Sequence, residues 1–286
     1  MIKHIVLSSG LYYGLHQIGI LAYLHKKKFF DIKNIKTIYG TSIGAFVGAI
    51  LCLNMDFETI ITYFQDRPWG EDIDLSPSVL LNSYNSKGIF NEDIIKLMFK
   101  NILFSKNLSL DITLLDLYEH SKIEFHCYTI ELEHFKCVDV SYKTHPNMKL
   151  MTALYQTAAF PIIFKPCFWL GKYYVDGALI NWYPLNNCMD DHNPTEDEIL
   201  GIYTFDIGQR NIENMCILGY AFYIYNRLST LCQEKKKNIK YEIKIDVNEF
   251  VANIYYFLNS KKIRKKYIGI GKKLAKKFLK KLDDSI

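Results

Sequence analysis

A serine with glycine two residues away on either side, Gly40-Thr41-Ser42-Ile43-Gly44, is the segment of this chain best suited to covalent chemistry. The Gly-x-Ser-x-Gly pattern gains force from its setting. Thr37-Ile38-Tyr39 reads as a short strand before it, and Ile43 to Leu53 as a buried apolar helix after it. A sharp strand-to-helix turn lifts a serine hydroxyl above a sheet, and the flanking glycines let strand and helix approach without side-chain clash. The start of the helix adds partial positive charge that favours a developing alkoxide or oxyanion. Such a serine attacks the carbonyl carbon of an acyl group.

The hydroxyl needs a base. Asp176 ends a strand-like stretch, Phe168 to Val175 around a Gly171-Lys172 turn, and is followed by Gly177. Asp-Gly is also a common turn sequence, so a catalytic and a turn role are both open at this stage. In a Ser-acid-His triad the histidine would follow the acid, and of the eight histidines only His192 does. It lies in Asp190-Asp191-His192-Asn193-Pro194, which reads as an exposed polar turn. His16, on the first helix, reads as structural or exposed rather than catalytic. A Ser-His-Asp esterase is therefore the lesser alternative.

These groups require an α/β frame. Ile5 to Leu7 reads as a strand, Gly14 to Lys28 as an amphipathic helix, and the elbow strand and helix follow, which is the start of a parallel sheet with right-handed crossovers. Residues 56 to 121 read as mostly helical, interrupted near Pro68, Pro77 and Lys87-Gly88, and suit a lid or cap. Ile123 to Leu132 and Cys137 to Ser141 read as a hairpin, and Met148 to Ala159 as a helix ending at Pro161. Leu200 to Phe205 reads as the last core strand. Glu213 to Cys232, Val247 to Asn259 and Lys261 to Leu282 read as helices.

In this order of blocks the chain resembles the patatin-like phospholipase family. Ser8-Ser9-Gly10-Leu11-Tyr12-Tyr13-Gly14 resembles its glycine-rich oxyanion loop, and Gly40 to Gly44 its elbow. Thr157-Ala158-Ala159-Phe160-Pro161-Ile162-Ile163-Phe164-Lys165-Pro166 is similar to the stretch ahead of its aspartate, and Tyr174-Val175-Asp176-Gly177-Ala178 to its acid block. The resemblance spans residues 5 to 184. It implies a three-layer fold with a mostly parallel central sheet flanked by helices, and a lipid acyl hydrolase of phospholipase A type. Ser42 would be the nucleophile and Asp176 the general base, with no third residue, metal or cofactor. Ser9, Gly10 and Leu11 would form the oxyanion loop, supported by Gly14, Gly40, Gly44 and Gly177. Ser9 and Leu11 stand where the family has glycine, and Tyr13 where it has a basic residue. Loss of an oxyanion donor costs about 100- to 1,000-fold in rate, so a degenerate, membrane-binding or scaffolding version of the fold stands as the alternative.

Composition bounds the rest. The 286 residues are 49% hydrophobic, enough for one sizeable core. Seven cysteines, an odd number with no Cys-x-x-Cys pair, read as reduced thiols and make no zinc site. No signal peptide or membrane span is evident, which suggests an intracellular protein, soluble or peripherally membrane-bound. The net charge of +5 is uneven, because residues 260–286 carry 11 basic and 2 acidic residues. Ile263, Tyr267, Ile270, Leu274, Phe278 and Leu282 recur there at helical spacing. The organisation expected is an acyl hydrolase domain over 1–259 and a basic amphipathic helix over 260–286 packed on it. Phospholipid or another acyl lipid is the expected substrate. The lysine face suits an anionic membrane surface, and with no reading motif nucleic acid is the weakest choice of partner.

Overall fold

Strand, helix, strand and helix do open the chain, as β1 (His4–Leu7), α1 (Gly14–Lys26), β2 (Thr37–Thr41) and α2 (Ile43–Cys52), with a 3-10 turn at Leu11–Tyr13. The computed structural model describes residues 1–73, 76–205, 212–215, 217–246 and 254–284. A helical excursion follows: α3 (Phe57–Asp66), α4 (Trp69–Asp72), α5 (Pro77–Ser86), the short strand β3 (Gly88–Phe90), α6 (Glu92–Phe104) and α7 (Leu114–Ser121). The chain returns through β4 (Glu124–Glu131), β5 (Lys136–Ser141) and α8 (Leu150–Ala158), then the short strands β6 (Ile162–Phe164), β7 (Cys167–Trp169) and β8 (Lys172–Asp176). α9 (Ala178–Asn181), α10 (Leu185–His192), β9 (Ile199–Phe205), α11 (Ile217–Cys232), β10 (Tyr241–Asp246), α12 (Ile254–Asn259) and α13 (Lys261–Asp283) complete it.

The main sheet runs β10-β9-β1-β2-β4-β8-β7, with β5 also beside β4. β10, β9, β1, β2 and β4 are parallel, whereas β5, β8 and β7 enter antiparallel. Alternation along the strands divides the apolar residues between two faces. Ile5, Leu7, Ile38 and Phe125 join the larger core with α1 and α2, while Val6, Tyr39 and Tyr128 join a smaller core with Leu185 and Cys188 of α10. Helices thus flank the sheet on both faces.

One strand escapes the sequence reading. Leu200–Phe205 is not the last core strand, because β10 pairs parallel with β9 from Tyr241↔Leu200 to Asp246↔Phe205. Ile243 and Ile245 are buried and alternate with Glu242, Lys244 and Asp246. That alternation marks an edge strand, and its charged residues mask it in a search for continuous apolar runs. Of the helix expected over Val247–Asn259, residues 247–253 lie outside the described residues.

The basic helix α13 packs against α1. A Cβ on Gly19 would sit 2.2 Å from the Ile268 carbonyl oxygen, and one on Gly271 would sit 2.1 Å from the His16 carbonyl oxygen. The two backbones therefore touch at the crossing, with Ile268 and Ala275 buried beside it. Arg264 is buried at the same junction and donates to the carbonyls of Gln65, Arg67, Phe257 and Leu258. Carbonyl partners offset the cost of burying its guanidinium. Among the described residues no helix is long and apolar enough to cross a membrane.

Candidate active site

β4 acts as a ruler for the two residues of interest. Its pairing with β5 runs from His126 to Glu131, so β2 and β8 must share its other edge. On that edge Thr41 pairs with Tyr128 and Asp176 pairs with Thr129. A parallel strand running up and an antiparallel strand running down thus meet end to end, and Ser42 and Asp176 are the residues at the junction. Both are buried. The Ser42 hydroxyl approaches the Asp176 carboxyl as a hydrogen-bond donor.

Ser42 has φ 54° and ψ −123°, a conformation rare outside glycine and characteristic of a nucleophile elbow. The glycines around it are dictated by contact. A Cβ on Gly40 would lie 2.6 Å from the Ala45 nitrogen, and one on Gly44 would lie 2.4 Å from the Leu7 oxygen. The Ser42 N–H donates to the Thr157 hydroxyl at 2.9 Å, and that hydroxyl donates to the Tyr128 carbonyl at 2.5 Å. Thr157 thus ties the elbow to β4, a role no local motif reveals.

Burial is the largest influence on Asp176 and pushes its carboxyl up to about 7, although hydrogen bonds from the Ala178 N–H, at 2.8 Å, and from Ser42 pull the other way. A carboxylate with a pKa near neutrality is a far better proton acceptor than a solvated one. Gly177 follows it against the Tyr128 carbonyl.

The loop after β1 keeps the shape of a glycine-rich turn without its glycines. Gly10 has φ 151° and Leu11 φ 48°, so the leucine accepts a left-handed conformation that costs about 1 kcal/mol. The N–H groups of Gly10 and Leu11 enter no hydrogen bond among the described residues, and are open to an oxyanion. Ser9 does not belong with them. Its N–H donates to the Trp182 carbonyl at 2.8 Å, so it supplies no donor. Thr204 of β9 anchors the loop instead, with its hydroxyl on the Ser9 carbonyl at 2.5 Å and its N–H on the Ser8 hydroxyl at 2.8 Å. Gly14 begins α1 against Ile43 of the elbow helix.

His192 is elsewhere. It is the final residue of α10 rather than part of an exposed turn, and its ring stacks on His4 and contacts the Tyr39 hydroxyl at 3.0 Å. Tyr39 belongs to the smaller core, and His4 begins β1, at the end of that strand away from the loop that follows it. His16, also buried, packs between Tyr13 and Tyr267.

Ser42 opens into a cavity of ≈ 200 Å³. Its wall is almost wholly apolar: Leu11 from the loop, Ile43, Val47 and Ile50 from α2, Trp69, Ile95 and Met98 from the helical excursion, and Phe160 and Phe164 beyond α8. The segment read as a lid thus forms one side of the cavity, and Arg264 reaches its far wall.

A strained serine elbow on a mostly parallel sheet, facing a buried aspartate, defines the architecture. The chain belongs to the patatin-like phospholipase family, whose model matches residues 5–189. It is 25% identical over 278 residues to an uncharacterized protein, R571, of Acanthamoeba polyphaga mimivirus, covering 93% of this chain and 90% of that one. It is 24% identical over 201 residues to the probable lipid hydrolase 463L of Invertebrate iridescent virus 6, covering 67% of this chain and 64% of that one. Among solved structures, VipD from Legionella pneumophila shares the fold with a TM-score of 0.57 and 17% identity, covering 98% of this chain and 67% of VipD. The type III effector protein ExoU, of Pseudomonas aeruginosa, does so at 0.50 and 15%, covering 98% of this chain and 53% of ExoU.

Proposed function

We propose that this protein is a lipid acyl hydrolase of phospholipase A type, acting through Ser42 and Asp176 by way of an acyl-enzyme. The observation that carries the reading is the apolar cavity opening at Ser42, of a chemistry suited to a fatty acyl chain. Family membership and the similarity to a probable lipid hydrolase support it.

In the first half-reaction the Asp176 carboxylate takes the Ser42 proton as Oγ attacks the ester carbonyl carbon. The carbonyl oxygen becomes an oxyanion facing the Gly10 and Leu11 N–H groups. Collapse breaks the ester bond, and the leaving alkoxide takes the proton held by Asp176. In the second half-reaction Asp176 deprotonates a water that attacks the acyl-enzyme. The fatty acid departs and Ser42 recovers its proton. No histidine is required, since His192 sits on the other face of the sheet.

The packing of α13 bears on membrane approach. Its apolar stripe is already used against α1, which leaves the lysine face as the part that meets an anionic surface. Residues 260–286 then serve as an electrostatic docking element attached to the hydrolase unit of residues 1–259.

The test is hydrolysis of phosphatidylcholine and phosphatidylglycerol vesicles by wild type, Ser42→Ala and Asp176→Asn, with fluorophosphonate labelling read by intact mass. Turnover and labelling at Ser42 by wild type alone are expected. An unlabelled, inert wild type would point instead to a binding or scaffolding role on the same fold.

A further inference from the structure

A second group of chemically capable side chains lies on the face opposite the cavity. Glu124 and His126 are two apart on β4 and therefore point to the same side of the sheet. α10 crosses that side and ends with His192. One ligand atom from each of Glu124, His126 and His192 lies within 4.8 Å of the others. The two imidazoles are held by groups outside this trio. The Asp139 carboxyl bonds His126 Nδ1 at 2.9 Å, which turns Nε2 toward Glu124, also at 2.9 Å. The His126 ring stacks on Tyr39 with centroids 4.2 Å apart. The Tyr39 hydroxyl in turn donates to Asp191 at 2.8 Å and contacts His192 Nε2 at 3.0 Å. A carboxylate on the far nitrogen of an imidazole is the support that metal-bound histidines characteristically receive.

We infer that Glu124, His126 and His192 form a binding site for a divalent transition metal of the zinc class, with solvent completing its coordination. Two imidazoles and one carboxylate suit zinc, whereas calcium and magnesium favour shells made of oxygen. Without metal, positive charge at the site comes from the Lys143 ammonium, 2.5 Å from Glu124. A bound cation takes over that role, and the half-exposed Lys143 side chain can swing out. The ion staples the end of α10 to β4.

The test uses the full chain, stripped with chelator, desalted and titrated with zinc against a chromophoric chelator, alongside melting curves. Wild type is expected to bind one equivalent and to melt at a higher temperature with zinc. His192→Ala, at a half-exposed helix end, is expected to fold yet bind about 100-fold more weakly, and Asp139→Asn about 10- to 100-fold more weakly. Lys143→Ala is expected to bind more tightly, because Glu124 loses its competing partner. His134→Ala, which alters the separate group of buried Glu131 with exposed Glu133 and His134, serves as the control and is expected to match wild type. A wild type that takes up no zinc overturns the inference, as does a His192→Ala that binds as wild type does or a His134→Ala that abolishes uptake. Lipid hydrolysis does not enter the readout, so the result is independent of the Ser42 and Asp176 assignment.

Discussion

The Thr157 hydroxyl stands between the Ser42 N–H and the Tyr128 carbonyl, accepting from one and donating to the other. All three residues are buried, so removing the hydroxyl takes from each backbone group the hydrogen bond it supplies. Thr157→Val preserves shape and deletes only that function. It should cost about 1 to 3 kcal/mol in denaturant unfolding and slow fluorophosphonate labelling of Ser42. Unchanged stability and labelling would mean that the elbow holds its conformation without this tie.

Asp176 acting as the proposed base ties the expected activity to pH. The proposed base must be ionised, so kcat/KM should fall about tenfold per pH unit below about 7 and level off above it. A profile flat down to pH 5 would exclude Asp176 as the base.

The same carboxyl opposes folding. Its folded pKa, about 7, lies above the unfolded value of 3.8, so the native state holds its proton to higher pH than the unfolded chain does. The penalty is absent below the unfolded pKa, grows as pH rises between the two values, and is complete above about 7. Asp176→Asn should therefore melt at a higher temperature than wild type, with a larger gain at pH 8 than at pH 5. The gain is bounded by roughly 4 kcal/mol, taking about 1.4 kcal/mol per unit, while turnover should drop at least about 1,000-fold. Differential scanning calorimetry at the two pH values decides it.

Gly10 carries φ 151° and faces Thr204 Cγ2 at 3.0 Å from where a Cβ would sit. Gly10→Val should distort the loop and lower kcat by about 100- to 1,000-fold, the effect of losing an oxyanion donor. Steady-state kinetics on a soluble ester would show it as a fall in kcat with KM little changed.

Val47 lines the cavity one helical turn beyond Ile43. Val47→Phe adds bulk to that wall and should shift preference toward shorter acyl chains, lowering kcat/KM for long-chain esters while sparing short ones. A profile of nitrophenyl esters of graded length measures this; a uniform loss at every length would place the acyl chain elsewhere.

How much could be read from the chain alone depended on sequence distance. Gly40 to Gly44 announces itself because strand, turn and helix are contiguous, and the Asp176-Gly177 pair stands out at the end of a strand. That these two meet depends on adjacent pairings along β4, which no local pattern encodes. Thr157 and Thr204 escaped notice for the same reason: each acts on a residue more than a hundred positions away. β10 is hidden by its alternating charges, and that Ser9 within the loop spends its N–H on Trp182 is a tertiary contact no local pattern shows. Leu11 shows the converse: a residue ill suited to a left-handed turn occupies one, since Gly10 and the Thr204 anchor determine the loop around it.

The crossing of α1 and α13 has a bearing on biosynthesis. Gly19 and Ile268 lie near opposite ends of the described chain, yet their backbones are in contact. During translation α1 emerges early and must wait, its glycine-bearing face uncovered, until α13 has left the ribosome. The loop after β1 runs directly into α1, so the amino-terminal part of the candidate site gains its final support only when synthesis has passed α13. Such non-local closure favours slow, late completion of folding. A nascent chain stalled short of α13 would hold its elbow sequence, but not the framework on which the loop rests.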